Sequence, residues 1–224
     1  PSTAGNRKTW TWSGWVKRGN LGTAGYKYFW SLNQSSGIRA LLGFTNADTL
    51  ILETNSSGSS WDSNLTTSAV YRDCSAWYHI TVAVDTTQST ASNRIKLYVN
   101  GTQETAFSTE TYPSQNTDLP FNAAAPHAVG SWSTAGHYYD GLMSEVNFVD
   151  GQALTPSDFG ETDEDYGHWK AKKYTGTYGT NGFYLDFKDS GSLGNDANGS
   201  NNWTPNNLAA TDQMLDSPTN NFPT

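Results

Sequence analysis

Cysteine is almost missing from this chain. Cys74 stands alone, which excludes an intrachain disulfide, and beside Trp77 it reads as a partly buried small hydrophobe. Charge is scarce too: Asp, Glu, Lys and Arg make up 15% of the residues, well under the usual quarter. Positive charge is scarcest, with 13 Lys plus Arg against 21 Asp plus Glu and a formal net charge of -8. Arg7, Lys8, Lys17 and Arg18 form one short patch and Lys170, Lys172 and Lys173 another, so no basic stripe exists and nucleic acid is not an expected partner. No run reaches the roughly 18 apolar residues of a membrane span. No stretch sustains a 3.6-residue period, so long amphipathic helices are not expected. His79, His127, His137 and His168 show no short metal-ligand spacing.

What the chain has instead is aromatic side chains, 13% of its residues, including 9 Trp and 12 Tyr. Such a composition can bury a large apolar area and is not that of a disordered chain. Low charge with abundant Ser, Thr, Asn and Gln suits a secreted or virion-surface protein better than a cytosolic enzyme.

The apolar residues recur with a period of two. In Thr9 to Lys17 (TWTWSGWVK), Trp10, Trp12 and Val16 share a parity and Trp15 takes the other, with a bend expected near Gly14. Tyr26 to Leu32, Ile38 to Phe44, Thr49 to Glu53 and Asn64 to Tyr71 read as further strands. In WYHITVAVD, Tyr78, Ile80, Val82 and Val84 face one way and His79, Thr81 and Ala83 the other. RIKLYVNG repeats the pattern, with Ile95, Leu97 and Val99 inward, and Asn100-Gly101 closes it with a primed turn. Gln103 to Phe107 is expected as the returning strand, then a long loop from Glu110 to Pro126, then strands at His127 to Trp132 and Leu142 to Val149. Thr155 to Phe159 reads as one helical turn. The fold class is therefore all-β, a sandwich of two antiparallel sheets.

After Gly160 the texture changes. Glu161 to Asp165 is an acidic run read as a solvated loop, Phe183 to Phe187 a strand, and the rest an extended tail laid over the sandwich or a linker to a further domain. Trp203, Leu208, Met214 and Leu215 in it need cover. The expected organisation is a sandwich over 1–160 and an extension over 161–224. The opening PSTAGNRKTW and closing SPTNNFPT read as ends of an excised or processed piece of something longer.

WYHITVAVD followed by RIKLYVNG resembles the central signature of laminin-G-like domains in the concanavalin A-like lectin/glucanase superfamily. YYDGLMSEVNFVDGQALTPSDFG (Tyr138 to Gly160) is similar to that family's closing strand and TWTWSGWVKR to its opening one. The stretch from Gly182 to Phe222 resembles one that follows such domains in marine bacteriophage structural and tail-fibre proteins. The resemblance implies a concanavalin A-like jelly roll whose relatives bind glycans, sometimes through calcium, or hydrolyse β-glucans, or serve as structural modules. It also implies virion proteins as partners, a place on the virion surface, and homo-oligomers of the fibre kind.

The glucanase relatives carry a Glu-x-Asp-x-x-Glu pattern. The nearest match here, Glu161 to Tyr166, ends in Tyr166 and lacks alternating apolar neighbours, so no catalytic pair is expected. A glycan site pairs an aromatic platform for the sugar's C–H face with Asp and Asn groups for its hydroxyl rim. Two loops offer that chemistry: one with Trp61 and Asp62, the other with Trp132, His137, Tyr138, Tyr139 and Asp140. Trp61 and Trp132 are the expected platforms. For calcium, the nearest oxygen ligands are Asp62, Asp140 and Glu145. Two functions stay open: a virion module that binds host-surface polysaccharide in host attachment, and a purely structural capsid-decoration or fibre module.

Overall fold

The computed structural model describes residues 1–22, 25–34, 37–132, 136–214 and 217–218. Strong alternation gives strands, and the strands form two six-stranded antiparallel sheets packed face to face as a concanavalin A-like jelly-roll sandwich. The first sheet runs β14 (Phe183–Leu185), β11 (Leu142–Asp150), β1 (Thr9–Lys17), β6 (Trp77–Asp85), β7 (Ile95–Val99), β8 (Thr102–Gln103). The second runs β10 (His127–Val129), β2 (Lys27–Asn33), β3 (Arg39–Phe44), β4 (Thr49–Asn55), β5 (Ser63–Val70), β9 (Phe107–Thr111). A separate hairpin pairs β12 (Gly160–Thr162) with β13 (Trp169–Ala171).

The expected inward parities meet between the sheets. Trp10, Trp12, Ile80, Val82, Val84, Ile95, Leu97 and Phe148 pack against Phe29, Trp30, Leu42, Leu52 and Leu65. Phe121, from the long loop before β10, stacks flat on Trp30 with ring centroids 3.7 Å apart, while Trp10 meets both rings edge-on. Aromatic pairs of this kind add about 0.5–1.5 kcal/mol each beyond the area they bury. The turn at Asn100-Gly101 has positive φ at both residues (48° and 81°) and joins the directly paired Val99 and Thr102, the geometry a primed turn requires.

Two sequence readings need correction. Gln103 to Phe107 is not one strand: β8 ends the first sheet and β9 begins on the edge of the second, so the chain crosses between sheets there. The acidic run is not wholly loop. Glu161 lies in β12, and Lys170 of β13 pairs with Asp163 at 3.0 Å and Glu161 at 3.6 Å, which holds the acidic residues against a short partner strand. In LMSEVNFVD the alternation of apolar residues breaks around Met143 and Glu145, and the structure has a β-bulge there. Ser13 and Trp15 pair with Asn147 and Ser144, so β11 carries one extra residue opposite Gly14, and Glu145 takes it up at φ 52°.

Residues beyond the closing strand are built into the sandwich. β14 extends the first sheet by pairing with β11. Phe159, Tyr174, Tyr178 and Tyr184 join Val149 in a second apolar cluster on the outer face of that sheet. Trp203 packs edge-on against Phe183, with centroids 4.9 Å apart. Leu208 and Met214 are exposed, and Leu215 lies outside the described residues. Among the described residues no helix is long and apolar enough to cross a membrane.

Candidate functional site

The second sheet has an outer face that the core does not use, and its sequence makes that face unusual. β2 carries a bulge: Tyr28 pairs with Gly43 and Trp30 with Leu42, leaving Phe29 as the extra residue. Phe29 and Trp30 can therefore both enter the core, while Tyr28 turns to the outer face. Gly43 makes room for it, since a Cβ there would lie 2.9 Å from the Tyr28 ring. Arg39, Leu41 and Gly43 on β3 share this face with Ile51 and Glu53 on β4 and Asn64 on β5. The register sets Leu41, Glu53 and Asn64 side by side.

Two loops bring aromatic rings to it. After β4, the Asn55 side-chain carbonyl accepts the Gly58 N–H (2.7 Å), and the Asp62 carboxylate accepts the Ser56 N–H (2.6 Å) and hydroxyl (2.9 Å). That tight loop lays the Trp61 ring against Arg39, whose guanidinium carbon is 4.4 Å from the ring centroid. The loop after β10 is tied down when Ser31 Oγ donates to the Ser131 carbonyl (2.7 Å) and the Gly130 N–H to that of Phe29 (3.1 Å). Trp132 and His137 then meet the Tyr28 ring edge-on, at 6.3 Å and 5.8 Å between centroids. His137 holds φ 52°, and its Nδ1 donates to the Tyr26 carbonyl.

Between these rings lies a charged pair that is not an ion pair. Glu53 is only 8% exposed, and its Oε1 accepts from Asn64 Nδ2 at 2.8 Å. Burial pushes its carboxyl above the usual range, against the pull of Arg39. Burial, then Glu53, raise the Tyr28 phenol as well. Among the described residues, no carboxylate or carbonyl accepts from the Arg39 guanidinium, and its Nε is buried without a partner. The surface offers flat rings, a cation, an amide and a carboxyl group, which is chemistry for a polyhydroxylated ligand.

The structure thus gathers Trp61, Asp62, Trp132 and His137 on or beside one sheet face and sends the other expected residues elsewhere. Tyr139 turns inward, its ring edge-on to Phe29 and its hydroxyl donating to the Lys17 carbonyl at 2.8 Å. Asp140 pairs with Lys27 at 3.2 Å and accepts from Asn20. Burial raises its carboxyl, but Asn20 and Lys27 outweigh it and the net shift is downward. Tyr138, 63% exposed, lies along a different feature, a groove of about 1070 Å³ between the sheet edges that Met143, Phe187, Leu208 and Met214 also line. Arg39, Glu53, Asn64 and Tyr28 were missed by the sequence reading. The available signal was a charged residue at outward parity in each of two apolar strands, RALLGF and TLILETN.

The calcium candidates do not converge. Asp62 is spent on Ser56, Asp140 on Lys27 and Asn20, and Glu145 accepts from the Tyr184 hydroxyl. Among the described residues no three His, Cys, Asp or Glu side chains are grouped to hold a metal. These residues do not fit a calcium centre.

One buried pair has the look of catalytic chemistry. Trp169 Nε1 donates to His79 Nδ1 at 2.9 Å, so His79 carries its proton on Nε2 and donates to Ser13 Oγ at 2.7 Å. A histidine that donates to the serine is no base toward it, and neither side chain reaches solvent.

A family model described as the concanavalin A-like lectin/glucanases superfamily, of the laminin-G type, matches residues 1–158. Among solved structures, a heptameric SAP-like pentraxin from Limulus polyphemus is similar at 16% identity, over 69% of each chain, with a TM-score of 0.46. Domain 4 of a GH43 extracellular arabinanase from Geobacillus stearothermophilus, in complex with arabinotriose, is similar at 21% identity over 69% of this chain and 65% of that one, TM-score 0.47. The CBM40 of a Ruminococcus gnavus IT-sialidase is similar at 16% identity over 68% of this chain and 80% of that one, TM-score 0.46. The comparison with curated proteins yields no match.

Proposed function

Since the chain belongs to the laminin-G-type family of the concanavalin A-like lectin/glucanases superfamily, we propose that it is a non-catalytic module that binds a glycan on the outer face of its second sheet. One observation carries the reading: Trp61 and Trp132, from loops far apart in sequence, both come to that face, Trp61 against Arg39 and Trp132 against Tyr28, with Glu53 and Asn64 on the same face. Sugar rings stack their C–H faces on indoles, and their hydroxyls exchange hydrogen bonds with the polar groups between. The setting we propose is the surface of a virion, in a tail-fibre or similar protein recognising host-surface polysaccharide. Its support is the resemblance of the segment from Gly182 to Phe222.

The test is titration of the purified chain with a panel of bacterial surface polysaccharides. Saturable binding is expected, weakened about 10-fold or more in Trp61→Ala and in Trp132→Ala, with thermal midpoints close to wild type. Unchanged affinity in both variants overturns the site. A second reading, a structural module packing against other virion proteins, is favoured by one observation: the exposed Tyr138, Leu208 and Met214 gather on the side groove. Absence of any glycan binding, with self-association or partner binding lost in Leu208→Ser, would favour it.

A further inference from the structure

The arginines of this protein are not alike. Arg7 donates to the Leu119 and Asp118 carbonyls, and Arg94 to those of Gln88, Ser89 and Pro113. Arg18 reaches the Tyr71 carbonyl and Asp48, and Arg72 reaches Asp48 as well. Arg39 donates to nothing among the described residues. Among the described residues its close partner is the Trp61 ring, with the guanidinium carbon 4.4 Å from the ring centroid. An indole ring offers no oxygen acceptor, so the N–H groups of the guanidinium keep their donor capacity.

A partly buried cation without a protein acceptor is left to water or to a ligand for its hydrogen bonds. Glu53 is near enough to feel Arg39, yet the two form no ion pair, and the Glu53 Oε1 is taken by Asn64. The terminal N–H groups are therefore left for whatever lands on the Trp61 side of the patch. A planar fork of two parallel N–H groups matches a carboxylate, which it binds bidentately, better than a hydroxyl, which offers one oxygen. We propose that the ligand of this site is an acidic glycan, and that Arg39 is the specificity-determining residue that takes the sugar's carboxylate while Trp61 stacks on the ring. This rests on the glycan-binding reading above and names the class of sugar.

The experiment compares polygalacturonate, alginate and hyaluronan with the same polymers after reduction of their carboxyl groups to alcohols, so that only the charge differs. At least one acid form is expected to bind wild type about 10- to 100-fold tighter than its reduced form, the range of a charge-assisted bidentate pair. Arg39→Lys keeps the charge but loses the fork, and should erase most of that preference, the affinity for the acid form falling toward that for the reduced polymer, with a thermal midpoint close to wild type. Arg39→Gln should erase the rest. Equal, Trp61-dependent binding of acid and reduced forms overturns the acidic-sugar inference and leaves the glycan reading standing. No binding of either form, together with none across the bacterial panel, overturns both.

Discussion

His79 shows how much one side chain can depend on its partners. It sits at outward parity on β6, stacked on Trp15 at 4.9 Å and bonded on both ring nitrogens, to Ser13 and Trp169. Burial pushes its pKa down to about 3. His127 has a similar fate at about 4, again chiefly through burial, its Nε2 accepting the Asn122 N–H and its Nδ1 donating to the Ala125 carbonyl. Both are neutral when folded and protonate near 6.5 when unfolded. Their stabilisation is therefore complete above that value and is lost progressively as pH falls toward 3 or 4. His79 alone should remove about 3 kcal/mol of unfolding free energy between pH 7 and pH 4. Urea unfolding at the two pH values checks it, with His79→Gln showing a distinctly flatter dependence. An equal slope in that variant would refute the assignment.

The alternation of β6 told which residues face together, and it set His79 on one face with Thr81 and Ala83. What satisfies it was not legible, because Trp169 lies 90 residues away and meets it only across layers. The same holds for the proposed ligand face. Trp61 and Trp132 could be nominated from residue type and loop setting, but their shared face depends on the bulge that turns Tyr28 outward. Arg39 was passed over because its significance lies in what it does not touch.

At the scale of elements, turns and bulges do the positioning. Gly101 joins β7 to β8 at φ 81°, and a Cβ there would come within 2.7 Å of the Trp169 ring. Gly101→Ala therefore meets two penalties, a left-handed backbone and a displaced indole, and should cost about 1–3 kcal/mol. Near-UV circular dichroism should change with it, since Trp169 loses its seat. A neutral effect on both measurements would mean that the hairpin tolerates a shift the packing does not suggest. The bulge in β11 explains in the same way why LMSEVNFVD does not alternate cleanly: one extra residue at Glu145 flips every later side chain relative to its neighbours.

Over the whole molecule, the segment past residue 158 behaves as a third layer. It lends β14 to the first sheet, covers His79 with Trp169 and closes the outer face with Phe159, Tyr174 and Tyr178. Asp150 binds the parts together, accepting from the Asn6 N–H, the Asn122 side chain and the Asn181 N–H. A chain ended after residue 158 should expose Trp15, His79 and Val149 and lose the cooperative thermal transition of the full chain. A soluble fragment with an unchanged midpoint would show that the layer is an ornament.

The sequence by itself determined the all-β class, the strand parities, the primed turn and the family, because period and turn chemistry are local properties of neighbouring residues. It excluded a disulfide, since one cysteine cannot pair within the chain. Only the tertiary structure decided which aromatics serve the core and which a surface, why the acidic candidates scatter, and that one arginine has no acceptor among the described residues. Those outcomes depend on bulges that reset parity and on contacts between residues far apart in the chain, where no local pattern carries information.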